Sequence, residues 1–196
     1  MDHYFINNEN LKSEIKKITY QYQGQDLIFY SDNGVFSKSH IDYGSRLLVS
    51  TFLKIYHQQS SILDVGCGYG FIGITIAKIL NKKVDMLDIN RRAIHLAKMN
   101  IDANKVSATI YESNCYELVH DQYDVIITNP PVRAGKKVIL QILTEAKDHL
   151  NDQGELWYVL RKDQGAKSIS KVLNEHYAIT IVEKSKGFYI FCCKKR

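Results

Sequence analysis

Two short motifs in this chain have residue types suited to binding a ligand and to positioning an amine. The first, Asp64-Val65-Gly66-Cys67-Gly68-Tyr69-Gly70, lies between a short apolar run and a helix-forming segment, 71–80. The second, Asn129-Pro130-Pro131-Val132, follows a strand-forming run, 123–128. A glycine turn between a strand and a helix lets a ligand approach the backbone and its N–H groups closely. We therefore predict that the two motifs form one site.

The Asn-Pro-Pro turn supplies hydrogen-bond acceptors for an amine. Proline has no N–H, so carbonyls on this stiff turn stay free to accept, and the side-chain carbonyl of Asn129 adds another acceptor. Two acceptors on one NH₂ group favour a pyramidal nitrogen and stabilise the positive charge that it gains on attacking a methyl donor. We predict Asn129 and Pro130 as catalytic residues for N-methylation, which depends on proximity and needs no strong general base.

The glycine loop alone does not decide which ligand it binds. Gly68, Gly70 and Gly73 also satisfy G-x-G-x-x-G, and Asp88 lies twenty residues after Gly68, as in a dinucleotide site. A purely structural turn is a further possibility. Both alternatives stay open on the loop sequence.

Polar residues at the ends of neighbouring strands extend the predicted ligand site. Asp64 ends the first strand, where a buried carboxylate needs hydrogen-bond donors or a cation such as an ammonium group. Asp88 ends the next strand, where a carboxylate can hold ribose hydroxyls or cap the following helix. Ile89 is predicted to cover adenine, and Asn114 to recognise it or to form a turn. The predicted cofactor-binding residues are Asp64, Gly66, Gly68, Gly70, Asp88, Ile89, Asn114, Cys115 and Asn129.

In combination, these motifs resemble the class I S-adenosylmethionine-dependent methyltransferases, and specifically their small-domain branch that methylates amines. Within it, Gly34-Val35-Phe36-Ser37 and Asp42-Tyr43-Gly44-Ser45-Arg46-Leu47-Leu48 are similar to the ribosomal RNA small-subunit methyltransferase C family, which acts on guanine N2. The resemblance implies a Rossmann-like, doubly wound α/β fold with seven mostly parallel strands and an antiparallel last strand. It also implies S-adenosylmethionine as cofactor and small-subunit (16S-type) ribosomal RNA, or the small ribosomal subunit, as partner.

Two departures from that family concern the substrate. Family members commonly place an aromatic residue after Asn-Pro-Pro to stack on the target base, whereas this chain has Val132. Better-known members also carry a second, degenerate methyltransferase-like domain, for which we expect no room in 196 residues. Glutamine-N5 methylation of a release factor, adenine-N6 methylation of nucleic acid, a non-catalytic cofactor-binding module and a nicotinamide-dependent oxidoreductase are the alternatives.

The net charge of +5 lies entirely in the last third of the chain. Residues 1–125 hold thirteen Lys or Arg and fourteen Asp or Glu, whereas residues 126–196 hold thirteen and seven. Basic residues near the methyl-transfer site suit a phosphate backbone, although a solvated lysine-rich surface is the alternative. The predicted substrate-binding residues are Pro131, Val132, Arg133 and Lys136.

The remaining features predict one compact cytoplasmic unit. The 45% hydrophobic content is ordinary for a globular chain, no long apolar run predicts a membrane span, and no cysteine or histidine spacing predicts a metal site. We predict a hairpin and cap extension over residues 1–45 and a methyltransferase domain over 46–196. The hairpin turn is predicted at residues 31–34. Asp42 is predicted to cap a helix or, with Phe36 and Gly44, to line the site. The oligomeric state cannot be predicted.

Overall fold

An antiparallel hairpin opens the described part of the chain, which comprises residues 12–55 and 61–196 of a computed structural model. Its strands are β1 (Lys16–Tyr22) and β2 (Gln25–Ser31). Between them, Gln23 and Gly24 have φ of 49° and 75°, the left-handed conformations that a two-residue turn requires. The predicted turn at residues 31–34 is therefore wrong, because β2 pairs with the strand before it and residues 32–42 form a loop. Residues 1–11 of the predicted extension lie outside the described residues.

A seven-stranded sheet forms the centre of the fold. Its strands are β3 (Ile62–Val65), β4 (Val84–Asp88), β5 (Ala108–Glu112), β6 (Tyr123–Thr128), β7 (Leu150–Arg161), β8 (Tyr177–Ser185) and β9 (Phe188–Lys195). The spatial order is β5-β4-β3-β6-β7-β9-β8, and β9 runs antiparallel to both of its neighbours while the other pairs are parallel. This confirms the predicted α/β, mostly parallel sheet with an antiparallel last strand.

Helices cover both faces of this sheet. They are α1 (Tyr43–Ile55), α2 (Phe71–Leu80), α3 (Arg91–Asn104), α4 (Lys136–Glu145) and α5 (Ala166–Leu173), with short 3₁₀ helices at Val132–Ala134, Ala146–His149 and Lys162–Gln164. Because both faces are covered, β3 is buried at every position. Val125 and Ile127 of β6 pack with α1, α2 and α3, whereas Ile126 packs with α4 and α5. Among the described residues, no helix is both long and apolar enough to cross a membrane.

Two buried asparagines of α3 attach the hairpin to this core. The amide of Asn100 accepts from the Tyr30 N–H (2.6 Å) and donates to the Tyr30 carbonyl (3.0 Å), and Asn104 does the same with Ile28 (2.9 and 2.7 Å). Four helical residues rise about 6 Å and two strand residues span about 6.6 Å, so the spacings match. Asn100 also donates to the carbonyl of Tyr69 in the glycine loop (2.8 Å). Side-chain amides thus complete the edge of β2.

Removal of the Asn100 amide should destabilise the protein strongly. In Asn100→Ala, the N–H and carbonyl of Tyr30 and the carbonyl of Tyr69 lose partners in a buried position, and we expect a loss of about 2–4 kcal/mol in the free energy of unfolding. Urea denaturation followed by circular dichroism measures this. The control is Lys98→Ala on the exposed face of α3, which should change stability by less than about 0.5 kcal/mol. Equal effects of the two substitutions would contradict the attachment.

Candidate active site

A cavity of about 450 Å³ lies at the carboxyl ends of β3, β4, β5 and β6, where open α/β sheets bind ligands. It brings the glycine loop and the Asn-Pro-Pro turn together. The predicted residues that line it are Gly66, Gly68, Asp88, Ile89, Asn114, Cys115, Asn129, Pro130, Pro131, Val132 and Arg133. Three other predicted residues, Asp64, Gly70 and Lys136, are not among the lining residues. Their positions in the sequence predicted them at the site. In the structure Asp64 lies beneath the glycine loop, Gly70 faces Ile74 in the first turn of α2, and Lys136 begins α4.

The glycine loop after β3 leaves open space where side chains would otherwise project. Gly66 and Gly68 have φ of 68° and 58°, and a Cβ added at either position would meet no atom within 4 Å. A Cβ at Gly70, by contrast, would lie 2.7 Å from Cδ1 of Ile74. Gly66 and Gly68 therefore keep the cavity wall open for a ligand, and Gly70 lets the first turn of α2 pack. This open wall fits a bulky cofactor pressed against the loop.

The N–H groups of the loop are already used within the protein. Gly66 and Cys67 both donate to the carbonyl of Leu87 (2.9 and 3.0 Å), and Gly68 donates to Oδ2 of Asp88 (2.8 Å). These three N–H groups are therefore satisfied within the protein. A pyrophosphate needs unsatisfied N–H groups at such a turn. The loop geometry disfavours the dinucleotide alternative and favours a cofactor that needs space rather than donors.

Asp64 lies beneath the loop and is fully buried. Its Oδ2 accepts from the Gly73 N–H (2.9 Å), and its Oδ1 has no hydrogen-bond partner among the described residues. Burial, partly offset by the Gly73 hydrogen bond and reinforced by the negative charge of Asp88, raises the pKa of Asp64 to about 7. The residue is thus a buried carboxyl group poised to change protonation near neutral pH or to meet a cation.

Asp88 is half-buried at the cavity wall and holds two backbone groups. Its Oδ1 accepts from the Asn90 N–H (2.8 Å), in addition to the Gly68 bond described above. The helix cap of α3 is Asn90, whose Oδ1 accepts from the N–H groups of Arg92 and Ala93 (3.0 and 3.3 Å). The cap alternative for Asp88 is therefore wrong. Its place in the cavity leaves it as the carboxylate that can receive ribose hydroxyls.

Asn129 is held by residues from the start of α1. Its side-chain NH₂ donates to Oδ2 of Asp42 (3.2 Å) and to Oγ of Ser45 (2.8 Å). The same Oδ2 of Asp42 accepts from the Ser45 N–H (2.8 Å), which confirms the predicted helix cap. Because both amide protons are engaged, the side-chain carbonyl of Asn129 is the part available to a substrate amine.

The loop before α1 covers the side of the cavity that lies next to the start of α3. Asn90 donates to the carbonyl of Gly34 (3.0 Å) and Arg92 to that of Asn33 (3.0 Å), so the loop is tied to the start of α3. Phe36 and Asp42 line the cavity, as anticipated, whereas Gly44 lies outside its wall.

Several lining residues were not assigned to the site by the sequence analysis, among them Ser45, Arg161, Gln164 and Phe188. Gln164 follows the carboxyl end of β7 and was open to the same strand-end argument that found Asn129. Ser45 carries a weaker signal, its position three residues after the capping Asp42. Phe188 begins the antiparallel strand and has no such signal. In the described ranges, no group of three or more His, Cys, Asp or Glu is placed to hold a metal.

The sheet order, the open glycine loop and the Asn-Pro-Pro turn in one cavity define a Rossmann-like methyltransferase. The chain belongs to the methyltransferase small domain family, whose model matches residues 26–192. This membership confirms the resemblance predicted from the motifs and, with it, S-adenosylmethionine as the cofactor.

Relatives of known sequence and structure extend this comparison. The uncharacterized protein YbxB of Bacillus subtilis (strain 168) is 39% identical over 199 residues, covering 99% of this chain and 98% of that protein. Ribosomal RNA small subunit methyltransferase C of Haemophilus influenzae (strain 86-028NP) is 38% identical over 145 residues, covering 70% of this chain and 43% of that protein. The T. thermophilus 16S rRNA N2 G1207 methyltransferase, solved with AdoMet and guanosine, shares the fold at a TM-score of 0.84, with 20% identity over 95% and 52% of the two chains. This chain spans about half the length of those two ribosomal RNA methyltransferases.

The buried Asp64 should make stability depend on pH. Its pKa in the folded protein, about 7, lies above the value of about 3.9 in an unfolded chain, so the unfolded state loses its proton first as the pH rises. The contribution of Asp64 to the free energy of unfolding is therefore fully present below about pH 4, falls by a few kcal/mol up to about pH 7, and then levels off. Asp64→Asn should flatten this decline between pH 5 and 7.5 in urea denaturation.

The matched control for this measurement is Asp152→Asn, which alters an exposed carboxylate outside the cavity. It should keep the slope of the parent protein. A parent and an Asp64→Asn variant with the same slope would show that Asp64 stays ionised in the folded protein.

Proposed function

We propose that this protein transfers a methyl group from S-adenosylmethionine to the exocyclic N2 amine of a guanine in small-subunit ribosomal RNA. The observation that carries the proposal is Asn129, whose amide is clamped by Asp42 and Ser45 so that its carbonyl serves as an acceptor in the same cavity as the open glycine loop. The ribosomal RNA methyltransferases among the relatives support the choice of guanine and of RNA.

The residues suited to hold the cofactor lie on one side of the cavity. Gly66 and Gly68 provide the open wall, Asp88 provides a carboxylate for ribose hydroxyls, and Ile89, 40% exposed, provides an apolar surface for adenine. Asn114 and Cys115 complete this side, with Asn114 donating to Oε1 of Glu117 (2.7 Å). When bound, S-adenosylmethionine supplies a methyl group activated by the sulfonium charge.

The Asn-Pro-Pro turn positions the amine. The carbonyl of Pro131 accepts from the Ala134 N–H (2.9 Å) in the 3₁₀ turn, which supports the Pro130 carbonyl as the backbone acceptor for substrate. With the Asn129 carbonyl, it binds both protons of one NH₂ group and directs the nitrogen lone pair towards the methyl group. Methyl transfer would form the nitrogen–methyl bond, break the sulfonium–methyl bond with S-adenosylhomocysteine as the leaving group, and release one proton from the nitrogen to solvent.

The charge of Asp42 strengthens this arrangement. Its carboxylate lies 3.2 Å from the Asn129 amide nitrogen and polarises the amide, which increases the negative partial charge on the acceptor carbonyl. Stabilisation therefore grows as positive charge develops on the substrate nitrogen. A clamped acceptor on the cavity wall suits chemistry at a donor group, which argues against a purely cofactor-binding module.

Basic residues beside the turn suit an RNA backbone. Arg133 is exposed at the cavity rim, and Lys136 is exposed at the first residue of α4, outside the cavity wall. Charges in these positions can hold phosphates on either side of a base that has left its stack. We propose Arg133 and Lys136 as phosphate contacts for the substrate RNA.

Methyl transfer from radiolabelled S-adenosylmethionine to four acceptors tests the proposal. The acceptors are naked ribosomal RNA, small ribosomal subunits, DNA and total protein, followed by nucleoside or peptide analysis. We expect label in N2-methylguanosine from one of the two RNA samples. Asn129→Ala should lower turnover by at least a hundredfold while affinity for S-adenosylhomocysteine changes less than about threefold, because Asn129 acts on the amine.

Other outcomes would redirect the assignment. Label in N6-methyladenine or in a glutamine side chain would keep the reaction and overturn guanine as substrate. An Asn129→Ala variant as active as the parent would remove Asn129 from the mechanism.

Loss of the Ser45 hydroxyl should make the Asn129 side chain less firmly held while the rest of the site keeps its structure. Ser45→Ala removes the 2.8 Å bond to Asn129 but retains the backbone N–H that Asp42 caps. We expect kcat to fall about fivefold, the equivalent of one hydrogen bond of about 1 kcal/mol, with unchanged affinity for S-adenosylhomocysteine. Ser50→Ala on the same helix, where the hydroxyl bonds only to the Leu47 carbonyl, is the control and should keep the parental kcat.

A further inference from the structure

The substrate side of the cavity needs a flat surface for a base, and Val132 does not provide one. Four aromatic residues line the cavity: Phe36, Tyr69, Phe71 and Phe188. Tyr69 and Phe71 are only 5% and 4% exposed, so their rings belong to the core. Phe36 and Phe188 are the two with accessible rings.

These two rings lie at different ends of the cavity. Phe36 belongs to the loop that is tied through Gly34 to Asn90, next to the carboxylate of Asp88, and so belongs to the cofactor side. Phe188 packs against the residues that hold Asn129. A Cβ built on Gly44 would lie 2.9 Å from Cε1 of Phe188 and 3.0 Å from Oδ2 of Asp42, so the ring and that carboxylate are close neighbours.

The backbone holds Phe188 firmly in this position. It is the first residue of β9 and pairs with Arg161, the last residue of β7, while Gly44 leaves the space that the ring occupies. The ring of Tyr43 lies 5.6 Å away at an angle of 51°. Phe188 is therefore a fixed aromatic group on β9, which β7 separates from the Asn-Pro-Pro strand, β6.

Arg161 adds a planar cation to this ring. Its guanidinium carbon lies 5.4 Å from the centre of the Phe188 ring, and one of its nitrogens bonds to Oδ2 of Asp163 (3.1 Å). Arg161 also lines the cavity. An aromatic ring paired with an arginine is a surface on which nucleic-acid bases stack, since the base has a π-face for both partners.

We propose that Phe188 and Arg161 form the stacking surface for the target base, in the place of the aromatic residue that Val132 lacks. The inference rests on the proposed function, because it assigns to that site a flat heteroaromatic substrate. The base stacks on the Phe188–Arg161 pair, and its exocyclic amine reaches the carbonyls of Asn129 and Pro130. A small aliphatic amide such as a glutamine side chain would gain nothing from this pair.

Steady-state kinetics with the RNA acceptor test the stacking surface. Phe188→Leu should raise KM for the acceptor about 5- to 150-fold, as expected for the loss of one stacking partner, while affinity for S-adenosylhomocysteine stays within twofold. Phe188→Trp keeps an aromatic face and should stay within about threefold of the parent. The matched control is Tyr189→Leu, which removes a ring from the next position of β9, on the opposite face of the sheet. Parental KM in Phe188→Leu, or equal effects of both leucine substitutions, would overturn the proposal.

A second readout is independent of methyl transfer. The tryptophan fluorescence of Phe188→Trp, measured with S-adenosylhomocysteine bound, should be quenched by guanosine 5′-monophosphate beyond any change seen in Tyr189→Trp or in the parent, which has Trp157 alone. Equal quenching in all three proteins would show that no base stacks at position 188. If the parent methylated no RNA and Phe188→Trp were still quenched selectively, the proposed function would fail and the stacking surface would stand.

Discussion

One carboxylate oxygen connects the start of α1 to the Asn-Pro-Pro turn. Oδ2 of Asp42 accepts both the N–H of Ser45, which begins the helix, and the side-chain amide of Asn129, 87 residues further along the chain. The direction of the Asn129 carbonyl is therefore set by the position of α1, and α1 is in turn placed by its packing on α2 and β7. The rim that covers the cavity and the acceptor within it form one hydrogen-bonded unit.

The glycine loop is hydrogen-bonded to the neighbouring strand through its own N–H groups. Its N–H groups bond to the end of β4, so the loop and its neighbouring strand are rigid before any ligand arrives. The cavity offers an open wall and one half-buried carboxylate, and a second carboxyl group is buried below with one oxygen unpaired among the described residues. The shape of the wall and the position of this carboxylate are the two features that such a site offers for selecting a ligand.

The sheet could be predicted from sequence because its signals are local. The apolar runs that end at Asp64, Asp88 and Asn129 predicted the strands that carry the site, and the family resemblance supplied the antiparallel last strand. The hairpin was misplaced because Asp32-Asn33-Gly34 is a stronger local turn signal than Gln23-Gly24, although the latter forms the turn. Long-range contacts leave no such pattern: neither the clamp of Ser45 on Asn129 nor the approach of Phe188 to Gly44 has a local signature.

The attachment of β2 to α3 also sets an order for folding during synthesis. The hairpin strands emerge from the ribosome well before Asn100 and Asn104, which lie 70 and 76 residues beyond their partners. Until α3 has been made, the outer edge of β2 exposes unpaired backbone groups, the template on which strands of other chains add. The two asparagines therefore close an aggregation-prone edge, and they do so only after the glycine loop and α2 have already been synthesised.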